Sequence, residues 1–362
     1  MKSVEIAVVG AGPAGLSATL AAAGQGASVA LIERDEHLGG QLVKQTHKFF
    51  GSARQEAGTR GVVIARRLGQ AVREQAGIDL RLATTVLGYY SDKVLYLEEP
   101  DRLAKLQAER AIFATGASER MLIFGNNDRP GVYGAGAVQT LMNVHGVMPG
   151  RRVLMIGAGN IGLIVSYQLL QAGVQVAAIV EAAPRIGGYL VHAAKVRRAG
   201  VPILTGHTVK EAVGEEAVEA AVIWRLDEQW RPVPGTEERV DCDVICLATG
   251  LSPLGELMWQ AGCRMAYVPE LGGHVPWHDD DLRTSHEDIY VAGDASGVEE
   301  ASAAMVEGRI AGLAAARSLG HDRDVEEKLG EARRELAALR AGPTGEKIRR
   351  GLESLRQGGD GR

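Results

Sequence analysis

The sequence predicts an α/β fold, and three observations support this prediction. Two Gly-x-Gly-x-x-Gly segments, starting at Gly10 and Gly157, each follow an apolar run and precede a helix-like one. Two later apolar runs end in Ala-Thr-Gly, at 114–116 and 248–250. The composition becomes charged and helix-forming after His321. We therefore expect two Rossmann-like domains of three-layer ββα architecture, one inserted in the other, and a helical C-terminal tail.

The elements of the first unit follow from apolar periodicity. Strands are predicted at Val4–Val9 and Ser28–Glu33, with a helix over Leu16–Ala23 between them. The elements predicted next are a helix from about Gln55 to Gln75, strands at Arg81–Gly88 and Lys93–Glu98 joined through a turn at Ser91-Asp92, and a buried strand at Arg110–Ala114.

The second unit repeats this order 147 residues later. Strands are predicted at Arg151–Ile156 and Val174–Glu181, with a helix over Leu163–Ala172 between them. The remaining predicted elements are strands at Val240–Leu247 and Ile289–Ala292 and a helix from about Glu300 to Leu319.

The gross composition is that of a soluble globular protein. Of 362 residues, 46% are hydrophobic and 23% are charged. A net charge of −5 offers no basic surface, so nucleic acid is not an expected partner. No apolar run reaches the roughly 18–20 residues of a membrane span. The first strand starts at Val4, which leaves no room for a signal peptide, and we expect a cytoplasmic protein.

The first glycine segment has the spacing of a phosphate-binding turn. Gly10 allows a tight turn, Gly12 lets the backbone approach a pyrophosphate, and Gly15 lets the helix pack closely on the strand. The helix N-terminus supplies positive potential to the phosphates. Glu33 ends the second strand, where an acid accepts hydrogen bonds from ribose hydroxyls.

Two further features favour FAD in this first site. Gly39-Gly40-Gln41 forms a turn that can pass close to ribitol or flavin. Asp294, after Gly293, can bond the ribitol or the pyrophosphate, and a simple helix cap is its alternative role. The following helix would direct its positive end at the flavin pyrimidine. The residues expected to bind FAD are Gly10, Gly12, Pro13, Ala14, Gly15, Glu33, Arg34, Gly40, Gln41, Ala114, Thr115, Gly116, Gly293, Asp294, Ala301 and Ser302.

The second glycine segment is also complete, with Glu181 closing its second strand. An acid there accepts a ribose 2′-hydroxyl and repels a 2′-phosphate, which favours NAD over NADP. Arg185 is too distant in sequence to reverse this preference. The alternative is a domain that is empty or holds another adenylate. The residues expected to bind NAD are Gly157, Gly159, Asn160, Ile161, Gly162, Glu181 and Gly250.

Together these motifs resemble the two-dinucleotide-binding pyridine nucleotide–flavin oxidoreductases, over residues 1 to about 320. The segments 114–120, 130–132 and 293–302 are similar to the nucleotide-binding α subunit of heteromeric dehydrogenases. That group includes dye-linked L-proline dehydrogenase, sarcosine oxidase, opine oxidase and hydrogen cyanide synthase. The domain boundaries that we expect are 1–116 and 247–320 for a discontinuous FAD-binding domain, 117–246 for the NAD(P)-binding domain, and 321–362 for the tail.

The cysteines depart from the disulfide reductases within this superfamily. The second nucleotide unit has no Cys-x-x-Cys, and Gln41 stands about where those enzymes begin their cysteine motif. Cys242 and Cys246 are predicted on one strand about 13 Å apart, too far for a disulfide. We expect buried thiols, with a redox pair as the alternative. No cysteine follows Cys263, so the chain lacks the iron–sulfur segment of some members of the group.

Candidates for acid–base or metal chemistry are weak. Lys44 and His47 follow the Gly-Gly-Gln turn and could handle a proton near the flavin, although a polar surface turn is the alternative. No other catalytic residue is predicted. His274, His278 and the aspartates 279–281 lack the spacing of a metal site, so a solvated loop and no metal are expected.

The tail carries apolar residues at helical spacing in two segments, 325–339 and 348–355, around a break at Gly342-Pro343. Each stripe must be buried on its own domain, on a second copy or on another chain. The resemblance favours docking of a second dehydrogenase subunit or a homo-oligomer, and packing on the same domain stays open.

The expected function is that of an FAD-dependent NAD(P)H oxidoreductase. It would transfer hydride between NAD(H) and FAD and pass electrons to or from a small-molecule substrate or acceptor. Disulfide reduction is not expected. The main alternative is the nucleotide-binding α subunit of a heteromeric amino-acid or amine dehydrogenase, of proline, sarcosine or opine type, which relays electrons for a separate catalytic partner. The third possibility is a redox sensor that binds both nucleotides.

Overall fold

The structure is a computed structural model that describes residues 1–49, 54, 56–343 and 345–357. The strands in this part of the chain are β1 (Lys2–Val9), β2 (Val29–Ile32), β3 (Ile78–Arg81), β4 (Thr85–Tyr89), β5 (Val94–Glu99), β6 (Arg102–Phe113), β7 (Ala117–Glu119), β8 (Val132–Gly134), β9 (Arg152–Ile156), β10 (Gln175–Glu181), β11 (Ile203–Thr205), β12 (His207–Val213), β13 (Ala220–Arg225), β14 (Glu238–Asp241), β15 (Val244–Leu247), β16 (Leu251–Pro253), β17 (Met265–Val268), β18 (Gly273–Pro276) and β19 (Ile289–Val291). The helices are α1 (Pro13–Ala23), α2 (Gly61–Glu74), α3 (Ala135–Asn143), α4 (Asn160–Gln171), α5 (Leu190–Arg198), α6 (Glu256–Gln260), α7 (Ala301–Arg317), α8 (Val325–Leu339) and α9 (Glu346–Gln357). Short 3-10 turns cover Gly40–Lys44, Pro269–Leu271 and Gly293–Ala295.

The predicted α/β class is confirmed, and the chain forms two compact units. Unit 1 comprises Met1–Ser118 and Leu251–Arg362, and unit 2 comprises Glu119–Gly250. These limits lie two and four residues beyond the expected boundaries after 116 and 246. The segment from residue 321 onward belongs to unit 1.

Both units are built on a parallel sheet of the same order. In unit 1 the order is β3-β2-β1-β6, with β19 also paired to β6, and β6 continues into an antiparallel meander with β5 and β4. In unit 2 the parallel sheet has the order β11-β10-β9-β15-β8, and an antiparallel sheet of β12, β13 and β14 accompanies it. The two units therefore share one spatial arrangement of parallel sheet plus antiparallel layer, although the fifth parallel strand comes last along unit 1, as β19, and first along unit 2, as β8.

Alternation along the central strand of each unit produces two cores. In β1, Ile6 and Val8 pack against the helical layer, whereas Ala7 and Val9 pack against the meander. In β9, Val153 and Met155 pack in the core with the helices, whereas Leu154 and Ile156 pack in the core with the antiparallel sheet. Apolar residues on both faces explain why these strands appear in the sequence as continuous apolar runs.

Close helix packing in unit 1 depends on small residues of α7. A Cβ on Gly308 would lie 2.1 Å from the Ala14 carbonyl oxygen, and one on Gly312 would lie 2.3 Å from that of Ala18. The two glycines are one turn apart, so α7 lies directly on α1. Gly308, two turns into α7, thus lies beside the first turn of α1, and the two helices run in the same direction.

The tail forms the two predicted helices, and both pack on unit 1. Val325, Leu329, Ala332 and Leu336 of α8 are buried in the core formed with α1 and α7. The buried face of α9 packs on the segment around Leu271. The apolar stripes are thus covered by their own domain, which is the alternative that the sequence left open, and docking of a second subunit or copy through the tail stays a prediction.

Some predicted elements differ in extent. The run 240–247 is divided between β14 and β15, which belong to different sheets, because Asp243 turns in to accept the amides of Arg151 and Arg152 at 2.8 Å. The run 81–88 is interrupted at Ala83, which has a φ of 49°. The predicted helix at 55–75 begins at Gly61, and Gln55 lies outside the described residues.

Candidate dinucleotide-binding sites

The first glycine loop lies at the carboxyl ends of β1, β2 and β6. The Gly10 amide donates to the Ile32 carbonyl at 2.8 Å, and the Ala114 amide donates to the Val9 carbonyl at 2.8 Å. Gly10 has a φ of 99°, and a Cβ there would lie 2.4 Å from the Ala114 oxygen. Only glycine fits this position, so the tight turn predicted from the spacing is present.

Gly12 presents its backbone to open space at the N-terminus of α1. Its φ of −73° is ordinary for any residue, and a Cβ there would meet nothing within 4 Å. Gly15 differs, because a Cβ at that position would lie 1.8 Å from the Gly10 oxygen. The loop is therefore packed tightly on its inner side and open on the side where the N–H groups of the first helical turn converge.

Glu33 braces this loop with its carboxylate. It is 7% exposed, and its Oε2 accepts the Ala11 amide at 2.7 Å, while its Oε1 accepts the Asp35 amide at 3.0 Å. Arg34 beside it is exposed and lies 3.9 Å from Asp35. The buried acid thus fixes the position of the loop.

Unit 2 repeats this geometry around the second glycine loop. The Gly157 amide donates to the Val180 carbonyl at 2.7 Å, and a Cβ on Gly157 would lie 2.3 Å from the Ala248 oxygen. Gly159 is open, with nothing within 4 Å of a Cβ, and Gly162 is closed, with a Cβ 2.0 Å from the Gly157 oxygen.

Glu181 is the counterpart of Glu33. Its Oε2 accepts the Ala158 amide at 2.7 Å, and its Oε1 accepts the Ala183 amide at 2.9 Å. Arg185 is exposed. The two units therefore carry the same brace for the same loop.

A double-glycine turn accompanies both loops, not only the first. The Gly39 amide donates to the Ala11 carbonyl at 2.8 Å, and the Gly188 amide donates to the Ala158 carbonyl at 3.0 Å. From the sequence, Gly39-Gly40-Gln41 was expected to mark the FAD site. Ile186-Gly187-Gly188 repeats Leu38-Gly39-Gly40 at nearly the same distance from its fingerprint, so this turn does not distinguish the two sites.

The Ala-Thr-Gly segments are equivalent as well. The Thr115 hydroxyl donates to the Leu254 carbonyl at 2.7 Å, and the Thr249 hydroxyl donates to the Arg120 carbonyl at 2.7 Å. Gly116 and Gly250 follow with φ values of 77° and 116°. In each unit this segment ends the strand that lines the inner side of the glycine loop.

Asp294 sets unit 1 apart. It lies three residues after the end of β19, which pairs with β6 as β8 pairs with β15 in unit 2. The corresponding position, three residues after the end of β8, is Ala137, which carries no acid. Asp294 is therefore the residue that distinguishes the first site from the second.

Asp294 lies in an acidic and mostly buried environment. Its Oδ1 accepts the Glu299 amide at 3.2 Å. Burial raises its pKa to about 6, and the nearby carboxylates of Glu307 and Glu299 contribute to that rise against the one hydrogen bond. Glu307, 3% exposed, accepts the Gly293 amide at 2.8 Å and the Ser296 hydroxyl at 2.9 Å. Sequence reasoning missed Glu307, because nothing in a helix of small residues marks one acid as buried.

The remaining predicted binding residues lie around the two loops. Pro13 and Ala14 form the first turn of α1, while Ala301 and Ser302 form that of α7. Asn160 starts α4 and accepts the Tyr189 amide on its Oδ1 at 2.8 Å, and Ile161 is 41% exposed.

The weak catalytic candidates lie beyond the double-glycine turn. Gln41 is exposed and lies in the 3-10 turn Gly40–Lys44, of which Lys44 is the last residue. The His47 ring stacks on Phe49, with centroids 6.3 Å apart. A role for Lys44 or His47 in proton transfer remains a prediction.

The cysteines are free and buried, as expected. Cys242, Cys246 and Cys263 are at most 5% exposed. Burial raises the pKa of the Cys242 thiol to about 12, and burial likewise raises the pKa of the other two thiols. Thiols in this state are poor nucleophiles.

The histidine and aspartate segment considered as a metal site is bound by arginines instead. Asp281 pairs with Arg317 and Arg333, and Asp280 pairs with Arg356. Among the described residues no group of three or more metal-ligating side chains is present. No helix in the described part of the chain is long and apolar enough to cross a membrane.

The fold and the paired loops define a class of protein with two dinucleotide-binding-type units, one inserted in the other. Residues 4–308 match the family described as pyridine nucleotide-disulphide oxidoreductase, and the chain belongs to this family. The family consists of flavoprotein oxidoreductases, which implies binding of FAD and a pyridine nucleotide.

Comparisons with individual proteins agree with the predicted resemblance. The chain is 29% identical to the alpha subunit of sarcosine oxidase from Rhizobium meliloti (strain 1021), over 87% of its own length and 31% of that protein. It is 29% identical to the A subunit of opine oxidase from the same strain, over 91% of this chain and 74% of that one. The structure is similar to L-proline dehydrogenase from P. horikoshii, with a TM-score of 0.67 and 27% identity over 91% of this chain and 59% of that chain.

The chain thus spans about a third of the sarcosine oxidase protein that it matches. Its relatives include named subunits of oxidases.

Proposed function

We propose that this protein is an FAD-dependent oxidoreductase that transfers hydride between NAD(H) and FAD and exchanges the electrons with a second acceptor or donor. In this proposal unit 1 binds FAD and unit 2 binds NAD(H). The observation that carries the proposal is that both units have the same phosphate-loop geometry. Free space adjoins Gly12 and Gly159, and the carboxylates of Glu33 and Glu181 accept an amide of their respective loops.

The residues of unit 1 fit FAD. The open side of the loop at Gly12 accommodates a pyrophosphate against the amides of α1, since a Cβ there would occupy only free space. Glu33 keeps lone pairs for ribose hydroxyls beside the two amides that it accepts. Asp294, absent from the equivalent place in unit 2, supplies an acceptor for ribitol hydroxyls.

The chain's own contribution is binding, orientation and charge. FAD, when bound, supplies the hydride-accepting chemistry. The N-termini of α1 and α7 supply positive potential from backbone N–H groups, which favours negative charge on phosphates and on the flavin pyrimidine. Within unit 1 no described side chain is required as a general acid for hydride transfer, so positioning by backbone carries most of the function.

Anaerobic reduction of the purified yellow protein tests this proposal. NADH, NADPH, L-proline, sarcosine and an opine are added separately while the flavin absorbance is followed. NADH is expected to bleach the flavin without a second protein. Absence of bleaching by either nicotinamide, with the flavin still reducible by dithionite, contradicts hydride transfer.

A second candidate function follows from the relatives. The sarcosine and opine oxidase proteins named above are both subunits by name, and the chain covers 74% of the opine oxidase one. In this alternative the chain holds its nucleotides as one component of a heteromeric amino-acid or amine dehydrogenase. Bleaching by an amino acid only when a second chain is present, with no bleaching by NADH, would favour it.

Disulfide reduction is not part of either proposal. The three cysteines are buried with raised thiol pKa values, and the sequence has no Cys-x-x-Cys. The cysteines of unit 1 and unit 2 therefore offer no reactive dithiol, despite the name of the family.

A further inference from the structure

A buried ionic cluster joins the C-terminal segment to the turn that follows β19. Arg340, at the end of α8, donates to Glu299 Oε2 from Nε at 2.9 Å and from Nη2 at 2.8 Å, and it also donates to Glu307 Oε1. The side chains of Arg340, Glu299 and Glu307 are 13%, 15% and 4% exposed. A charge buried to this extent is strongly unfavourable when its partner is removed.

The two acids of the cluster continue into the turn. Glu307 accepts Arg340 on one oxygen, and on the other it accepts the Gly293 amide at 2.8 Å and the Ser296 hydroxyl at 2.9 Å. Glu299 accepts Arg340 with its side chain and donates its own amide to Asp294 at 3.2 Å. The turn 293–299 is therefore linked to Arg340 at both ends, directly at Glu299 and through Glu307 at Gly293.

We propose that Arg340 is a positioning residue for FAD, which holds the turn 293–299 in its binding shape by pairing with Glu299 and Glu307. The assignment rests on the proposed function, in that unit 1 binds FAD. On this account the C-terminal segment is part of the cofactor site rather than an appendage, because α8 delivers the guanidinium that the turn requires.

The physical reason lies in the number of carboxylates at this turn. Asp294, Glu299 and Glu307 are grouped in poorly solvated surroundings. Burial lowers the pKa of Arg340, but the attraction of Glu307 and Glu299 outweighs burial and the pKa is raised overall. Burial raises the pKa of Glu299, and Arg340 opposes that rise. Without Arg340, the buried Glu307 carboxylate has lost its cation, which favours movement of the carboxylate toward solvent, and that movement breaks its bonds to Gly293 and Ser296.

A rival role for Arg340 is to anchor α8 with no specific effect on the turn. The double variant Arg340→Met with Glu307→Gln separates the two. The glutamine oxygen can still accept from Gly293 and Ser296, and no uncompensated charge is left on α7, yet the link from Arg340 to α7 is absent. Glu299 keeps its charge, but it is less buried than Glu307, at 15% against 4% exposed, and its bond to Asp294 is made by its amide. If Arg340 holds the turn, the double variant should recover the FAD affinity that Arg340→Met loses. If Arg340 only anchors α8, the double variant should bind FAD as weakly as Arg340→Met.

Arg309→Met is the matched control. Arg309 on α7 pairs with Glu335 on α8 at 2.5 Å, and the Glu335 side chain is 7% exposed. The control therefore removes a cation from a mostly buried acid between the same two helices, but away from the turn.

The experiment measures the FAD dissociation constant of the full-length apoprotein by flavin fluorescence, with thermal unfolding followed in parallel. Arg340→Met is expected to weaken FAD binding at least about tenfold. The double variant is expected to bind within about threefold of wild type, and Arg309→Met likewise.

Equal FAD affinity of Arg340→Met and wild type overturns the assignment while leaving the proposed function intact. A double variant as weak as Arg340→Met also overturns it. If Arg340→Met does not fold, the double variant alone tests the assignment. An FAD affinity near that of wild type supports the assignment, and a loss of about tenfold or more overturns it. A wild type that binds no FAD overturns the proposed function and this assignment together.

Discussion

Glu33 and Glu181 make the same pair of hydrogen bonds in the two units. Each accepts on Oε2, at 2.7 Å, the amide of the residue that follows the first glycine of its loop, which is Ala11 or Ala158. Each accepts on Oε1 an amide two residues further along its own chain, at 3.0 Å and 2.9 Å. The acid that the sequence marks as a ribose ligand is thus also the brace of the phosphate loop.

This double role sharpens the expected result of Glu181→Ser. Loss of the carboxylate removes the repulsion of a 2′-phosphate, so the preference for NADH over NADPH narrows. Loss of the brace also lowers the affinity for NADH itself. Titrations with both nucleotides, followed by nicotinamide fluorescence, measure the ratio and the absolute constants.

Glu33→Ser is the matched control, since it removes the equivalent acid from unit 1. It should lower FAD content and leave the ratio of NADPH to NADH affinity in unit 2 unchanged. A wild type that prefers NADPH, or an unchanged ratio in Glu181→Ser, would show that the acid does not select the nucleotide.

Asp294→Asn is expected to stabilise the apoprotein and to weaken FAD binding. The Asp294 pKa is raised from 3.8 to about 6, so the folded protein retains a proton that the unfolded chain releases. That contribution to stability is complete below about pH 4 and is lost as the pH rises to about 6. A shift of one pKa unit corresponds to about 1.4 kcal/mol, so an amide that needs no proton is expected to recover roughly 2–3 kcal/mol at pH 7.5.

The measurement is the free energy of unfolding of both apoproteins at pH 4.5 and pH 7.5. The charged groups that act on this carboxylate are Glu307 and Glu299, and both of them pair with Arg340. We expect the variant to gain stability at pH 7.5 and to gain little at pH 4.5. An equal increase in the free energy of unfolding at pH 4.5 and pH 7.5 would mean that loss of the Asp294 charge does not cause the stabilisation.

Replacement of Cys242 and Cys246 by alanine should leave flavin reduction intact. Both thiols are buried in unit 2, and a smaller side chain there leaves a cavity that lowers stability by about 1–2 kcal/mol. Stopped-flow reduction of the double variant by NADH, with an assay of disulfide reduction by the wild type, checks this. Normal folding with lost electron transfer would assign the pair a redox role after all.

The sequence predicted the features that follow from local pattern. The glycine spacing, the apolar runs of β1 and β9, and the helical stripes of α8 and α9 all appear in the structure, because each depends on residues close together in the chain. The repeat of these patterns also predicted that the two units share a spatial arrangement.

The features that were missed depend on partners distant in sequence. Arg340 lies 33 residues from Glu307 along the chain, and nothing near either residue shows that they meet. The surface that covers the tail was left open for the same reason, because an amphipathic stripe does not indicate which surface covers it. Asp243 broke a predicted strand by binding amides 91 and 92 residues away.

The most direct test of two separate nucleotide sites is a crossed pair of variants, Gly12→Val and Gly159→Val. At both positions φ is about −73° and a Cβ meets nothing within 4 Å, so each variant is expected to fold. FAD content and NADH affinity are measured on both. We predict that Gly12→Val loses FAD and still binds NADH, and that Gly159→Val keeps FAD and no longer binds NADH. Full FAD occupancy in Gly12→Val, or loss of FAD in Gly159→Val with unchanged NADH binding, would contradict this prediction.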